Sequence, residues 1–118
     1  MRRLVAGLAA GIALAAPIAA LAHSILLEAT PPVGRTVRPP SRVTLRFNNR
    51  IEKRLSRVTL VDSDRTRHGL AVLVSEGATD TLAVLAPPLA PGRYQVEWQV
   101  LSTDGHIVSG RFPFQVAP

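Results

Sequence analysis

The sequence predicts an all-β domain, a sandwich or Greek-key barrel of about seven short strands. Three observations carry this. Apolar and polar residues alternate with a period of two rather than 3.6. Turn-forming pairs punctuate the chain at short intervals. The composition is 47% hydrophobic but carries 10 Pro and 8 Gly in 118 residues, enough apolar content for a core and too much punctuation for a helical bundle.

Residues 24–29 form a first short apolar run, closed by Pro31-Pro32-Val33-Gly34. Val43, Leu45 and Phe47 alternate with Arg42, Thr44 and Arg46, a half-buried strand. Val58 and Leu60 open another strand, Leu70, Val72 and Val74 form a third of this kind, and Leu82 and Val84 a fourth. Tyr94, Val96, Trp98 and Val100 alternate with Arg93, Gln95, Glu97 and Gln99, the cleanest strand in the chain, which places Trp98 in the core. Phe112, Phe114 and Val116 end the sequence. Pro113 within that run points to an edge or a bulge, because proline has no N–H for a ladder. Asp62-Ser63-Asp64, His68-Gly69, Glu76-Gly77, Pro91-Gly92 and Asp104-Gly105 are the turns between strands. One domain is expected, without repeats or a long linker.

The N-terminus reads as an export signal. Arg2 and Arg3 precede an uncharged stretch from Leu4 to Ala22 that ends in Ala20-Leu21-Ala22, a small-residue cleavage pattern. A stretch of this length also suits a membrane anchor. Gly7, Gly11, Pro17 and the absence of a following basic cluster favour cleavage, leaving residues 23–118 as the mature, periplasmic domain. Cleavage removes Arg2 and Arg3 and no acid, taking the formal net charge from +6 to +4. The remaining arginines are scattered, aromatics are few and the chain is exported, so nucleic acid is not an expected partner. With no cysteine, disulfides, zinc ribbons, thiol catalysis and lipid attachment through a cysteine are excluded. The one methionine is Met1, so the mature chain holds no thioether ligand.

Two places carry chemistry. Cleavage after Ala22 would give His23 a free α-amino group, and amine plus imidazole Nδ1 form a two-nitrogen chelate suited to a tetragonal divalent ion, Cu(II) above all. The amine has an ordinary pKa of roughly 7.7–8.0, so metal binding near neutrality displaces its proton at little cost. The second is Asp104-Gly105-His106, between the two strongest strands, where a carboxylate and an imidazole flank a glycine. Asp-Gly is also simply a favoured hairpin turn. His106 shares parity with Phe112 and Phe114, so either a bulge shifts the register or the ring points into the open end of the sandwich. His68 is expected to be a solvated loop residue rather than a ligand.

The run Pro91-Gly92-x-Tyr94-x-Val96-x-Trp98, then Ser102-x-Asp104-Gly105-His106, then Gly110-x-Phe112-x-Phe114 resembles the C-terminal signature of the CopC family of small periplasmic copper-resistance proteins. The start fits as well, with His23, Leu26, Pro31-x-x-Gly34 and Val43-x-Leu45-x-Phe47, so the resemblance spans residues 23–118. It implies an immunoglobulin-like Greek-key fold that binds Cu(II) through His23 (amine and imidazole), Asp104 and His106. Some members place a carboxylate shortly after the early-strand phenylalanine. Here that position is Asn49, and Glu52 is out of register. The Cu(I) site that some members build from Met and His should be missing. The family also implies a membrane copper-transport partner of the CopD type, here a separate protein.

The expected function is therefore a monomeric, non-enzymatic Cu(II) carrier or buffer in copper resistance. Two other classes compete with it. One is a copper-dependent oxidative enzyme with an N-terminal histidine chelate, disfavoured by an anionic Asp ligand and by the lack of an aromatic substrate platform. The other is a metal-free immunoglobulin-like interaction module.

Overall fold

The computed structural model describes residues 25–118. The expected signal peptide and His23 lie outside the described residues. Among the described residues eight strands form: β1 (Leu26–Thr30), β2 (Thr36–Val37), β3 (Arg42–Phe47), β4 (Arg57–Val61), β5 (Arg67–Leu70), β6 (Thr81–Leu85), β7 (Gly92–Leu101) and β8 (Ile107–Val116), with a 3-10 turn at Lys53–Leu55. They make two sheets, a three-stranded β1-β3-β6 and a five-stranded β2-β8-β7-β4-β5, stacked as the sandwich that the alternation implies.

The inward residues are those the period of two selects. Val43, Leu45 and Phe47 of β3 face Val96, Trp98 and Val100 of β7 and Phe112 and Phe114 of β8 in one core cluster. Phe47 meets Trp98 edge to face at 5.1 Å, and Tyr94 stacks on Phe114 at 5.6 Å. Such pairs contribute about 0.5–1.5 kcal/mol each beyond area burial. The Tyr94 hydroxyl donates to the carbonyl of Ala90 at 2.7 Å, tying the start of β7 to the preceding corner. Immunoglobulin-like sandwiches use a tyrosine in the same way.

Three details differ from the sequence reading. The run Leu70, Val72 and Val74 is not one strand. β5 ends at Leu70, and Val72 bridges to Val84 in the other sheet, so its apolar residues serve two sheets in succession. β5 begins at Arg67 because Asp62 closes a tight turn, its Oδ1 accepting from the backbone N–H of Asp64 and Thr66 at 2.9 Å. His68 therefore lies in a strand, opposite Leu60, and not in a loop. The added strand β2 is two residues long and runs parallel to the end of β8, too short to leave a periodic signal.

Pro113 lies on the β2 side of β8, just before the residues that β2 pairs, where no ladder needs its N–H. Its carbonyl accepts from the Gly34 N–H at 2.7 Å on the side away from β7, so the missing N–H falls on that side as well. β2 covers only Gln115 and Val116 there, and the β7–β8 ladder continues unbroken past Pro113.

Candidate metal centre

The site is built on one end of the sandwich. β7 and β8 pair without a register shift from Gly92↔Val116 to Leu101↔Ile107. The hairpin is closed one step further by the Ser102 N–H donating to the His106 carbonyl at 2.9 Å, leaving Thr103, Asp104 and Gly105 as the loop. Gly105 has φ +90°, a region that glycine enters without steric cost. No bulge re-aims His106. It keeps the even-numbered parity of the inward residues of β8 but stands just before the strand begins, with its side chain 56% exposed. The regular pairing excludes the register shift as the explanation of its parity.

Ser102 organises the turn. It is 1% exposed, and its hydroxyl donates to Asp104 Oδ1. The same oxygen accepts from the His106 backbone N–H at 3.1 Å, while Asp104 Oδ2 lies 3.2 Å from His106 Nδ1. The Ser102 hydroxyl first, and then the His106 ring and N–H, hold the Asp104 carboxyl down at about 2, below the usual carboxylate range. Asp104 is thus an ionised oxygen donor across the physiological pH range, beside an imidazole whose orientation it sets. Ser102 belongs to the sequence motif, but its role was not legible there, because a buried serine is recognised only from its partners.

The start of the described chain is brought to the same end. The Ile25 N–H donates to Asn48 Oδ1 at 2.7 Å, and the Ile25 carbonyl accepts from the Asn48 N–H at 3.0 Å. β1 carries a register shift between Leu26 and Glu28 that turns Leu27 outward while Leu26 and Ala29 pack on the core. From Asn48 the chain crosses to the other sheet. The Arg50 carbonyl accepts from the Thr103 N–H at 3.3 Å, Ile51 bridges Ser102, and the Glu52 N–H donates to the Leu101 carbonyl at 2.8 Å. One short segment, Asn48–Glu52, therefore ties the first strand's beginning to the Asp104–His106 turn.

His23 precedes Ile25 by two residues and lies outside the described residues. Among the described residues no three His, Asp or Glu side chains gather as a metal cluster. The Asp104–His106 pair is one half of the expected set. Asn49, at the position where some members of the family place a carboxylate, is a half-buried amide within this segment. The other His–carboxylate pair, His68 with Asp62 at 3.2 Å, is remote from it. His68 sits opposite Leu60, which is opposite Val96, five residues along β7 from Leu101, or roughly 17 Å at about 3.4 Å per residue. The His68 ring and the Thr66 N–H keep the Asp62 carboxyl below its ordinary value, which is local turn chemistry.

Comparison with known proteins reads the same features. A family model described as the CopC domain matches residues 26–117. Copper resistance protein C of Escherichia coli is 27% identical, the match covering 92% of this chain and 93% of that protein. Among solved structures, CopC from Methylosinus trichosporium OB3b is similar with a TM-score of 0.74 at 36% identity, over 81% of this chain and 95% of its own. PcoC, described as a methionine-rich copper resistance protein from Escherichia coli, is similar with a TM-score of 0.68 at 25% identity, over 80% and 98%. With its two-sheet sandwich, its Ser-x-Asp-Gly-His hairpin and a family match spanning nearly all described residues, the chain belongs to the CopC family.

Proposed function

We propose that this chain is a periplasmic Cu(II) carrier or buffer of copper resistance, exported by residues 1–22 and active from His23 onward. The ligand set is the His23 amine and imidazole, the His106 imidazole and the Asp104 carboxylate, three nitrogens and one oxygen. This set suits tetragonal Cu(II) better than Zn(II), and it offers nothing soft for Cu(I). One observation carries the reading: the Asn48–Glu52 segment ties Ile25 and the Asp104–His106 turn to the same end of the sandwich. A two-residue stub is then all that separates the chelating terminus from the described end of β1. The relative PcoC is described as methionine-rich, whereas the only methionine here is Met1, which supports a Cu(II) protein without a thioether site.

The protein acts as a monomer and passes copper to or from a separate membrane transporter of the CopD type. An anionic oxygen ligand stabilises the oxidised ion and opposes redox cycling, which is why a carrier is preferred over an oxidative enzyme. The test is a Cu(II) titration of protein beginning at His23 beside protein carrying one additional N-terminal residue. The first should bind one equivalent, with Zn(II) much weaker. The second should lose orders of magnitude in affinity, because the chelating amine becomes an amide. Equal binding by the two would remove His23 from the site.

A further inference from the structure

The outward face of the five-stranded sheet carries a charge pattern that the proposed metal centre does not use. β7 and β8 send Val96, Trp98, Val100, Phe112 and Phe114 inward, so their odd-numbered residues face outward. Across the strands these form rows: Arg57 opposite Gln99 opposite Ser109, and Thr59 opposite Glu97 opposite Arg111. A depression of about 510 Å³ lies over the rows, with Arg57, Arg67 and Arg111 on its lining and Glu97 as its one carboxylate. Arg67 takes that carboxylate, its Nη1 standing 2.8 Å from Glu97 Oε1. Arg111, the cross-strand neighbour of Glu97, and Arg57 form no ion pair among the described residues. Two guanidinium groups thus stand on a sheet floor of Thr59, Gln99 and Ser109, donors arranged for carboxylates.

Toward the Asp104–His106 turn the same face becomes apolar. The next row is Leu101 opposite Ile107, and Ile107 is 63% exposed. Leu55, 69% exposed, adjoins it in the 3-10 turn, where the neighbouring Ser56 hydroxyl accepts from the Leu101 N–H at 3.3 Å. Exposed aliphatic side chains rimmed by arginine mark a protein interaction surface, and a small anion would make no use of the apolar end. From these rows we infer that the outer face of the five-stranded sheet is a docking surface for an acidic segment of a partner protein, with carboxylates on Arg57 and Arg111 and an apolar side chain against Leu101 and Ile107. Docking there seats the partner beside the hairpin turn. That it exchanges copper at that turn rests on the proposed function, whereas the docking itself does not.

The test uses copper-free protein beginning at His23 and three probes: a labelled synthetic peptide of alternating Glu and Leu, inorganic phosphate, and phosphatidylglycerol vesicles. The peptide should bind with an affinity that falls as salt rises. In the wild-type protein, amide shifts should move on β7, β8 and the Leu55 turn. The double variant Arg57→Gln/Arg111→Gln should weaken the peptide by about tenfold or more. Ile107→Ser should weaken it by about fivefold, and Arg42→Gln on the smaller sheet should change nothing. Absence of binding, shifts confined to other faces, or equal loss in Arg42→Gln overturns the proposal. So does phosphate holding the same arginines as tightly as the peptide, which would make the depression a small-anion site, or vesicles binding in preference to the peptide, which would make it a membrane surface. Cu(II) titration of the double variant should still show one equivalent. Loss of copper binding in a protein that still binds the peptide would count against the metal reading alone.

Discussion

Ser102, Asp104 and His106 act as a unit, and the carboxyl of Asp104 reports on it. Held at about 2 in the folded chain, it lies below the ordinary carboxylate value of about 3.9. Between those values the unfolded chain binds more protons than the folded one. The stability from this depressed carboxyl is therefore complete above about pH 4 and is lost as pH falls toward 2. Ser102→Ala removes the largest cause and should raise the Asp104 value, read by carboxyl NMR titration of the apo protein. An unmoved titration would mean that the hydroxyl is not bonded to the carboxylate. For the metal, His106→Ala should weaken Cu(II) binding by orders of magnitude, while His68→Ala, at the far end of the sheet, should leave affinity and the copper EPR spectrum unchanged. Asp104→Asn separates two roles. A carboxylate that only orients the His106 ring costs about 10–100-fold when replaced, and a direct ligand costs more and alters the spectrum.

At the level of elements, the hairpin β7–β8 depends on one close approach. Trp98 and Gly110 are direct cross-strand partners, and a Cβ built on Gly110 would stand 2.2 Å from Trp98 Cζ2. The indole lies where a side chain would be, so this glycine is required by space and not by its φ. Gly110→Ala should displace Trp98 from Phe47 and cost about 1–3 kcal/mol. For a domain of this size that lowers Tm by about 4–8 °C per kcal/mol, measurable by thermal unfolding with Trp98 fluorescence. An unchanged Tm would mean that the indole has room to move. The same hairpin was the most legible part of the sequence, because its alternation over Tyr94–Val100 and Phe112–Val116 is strict and its turn is Asp-Gly. β5 was misread for a physical reason. Leu70 and Val72 share parity, but one packs in the larger sheet and the other bridges to the smaller, and periodicity does not register a change of sheet.

For the whole molecule, export and site assembly are one question. The mature protein recovered from the periplasm should have the intact mass of residues 23–118. Retention of residues 1–22 would leave no free amine on His23 and sink the ligand set. The sequence alone decided the fold class and named the candidate ligands. The sandwich class follows from the period of two, the absence of thiol and thioether chemistry from the lack of Cys and of any Met beyond Met1, and the candidate ligands from a His at the expected cleavage point and an Asp-Gly-His turn. Only the tertiary structure decided that the beginning of β1 and the β7–β8 turn share one end, that Ser102 lies beneath Asp104, and that His68 faces elsewhere. These depend on contacts between residues far apart in the chain, Ile25 with Asn48 and Arg50 with Thr103. Alternation specifies which face of a strand is buried. Which strand ends meet is set by how two sheets stack and where the chain crosses between them, and no local pattern encodes that.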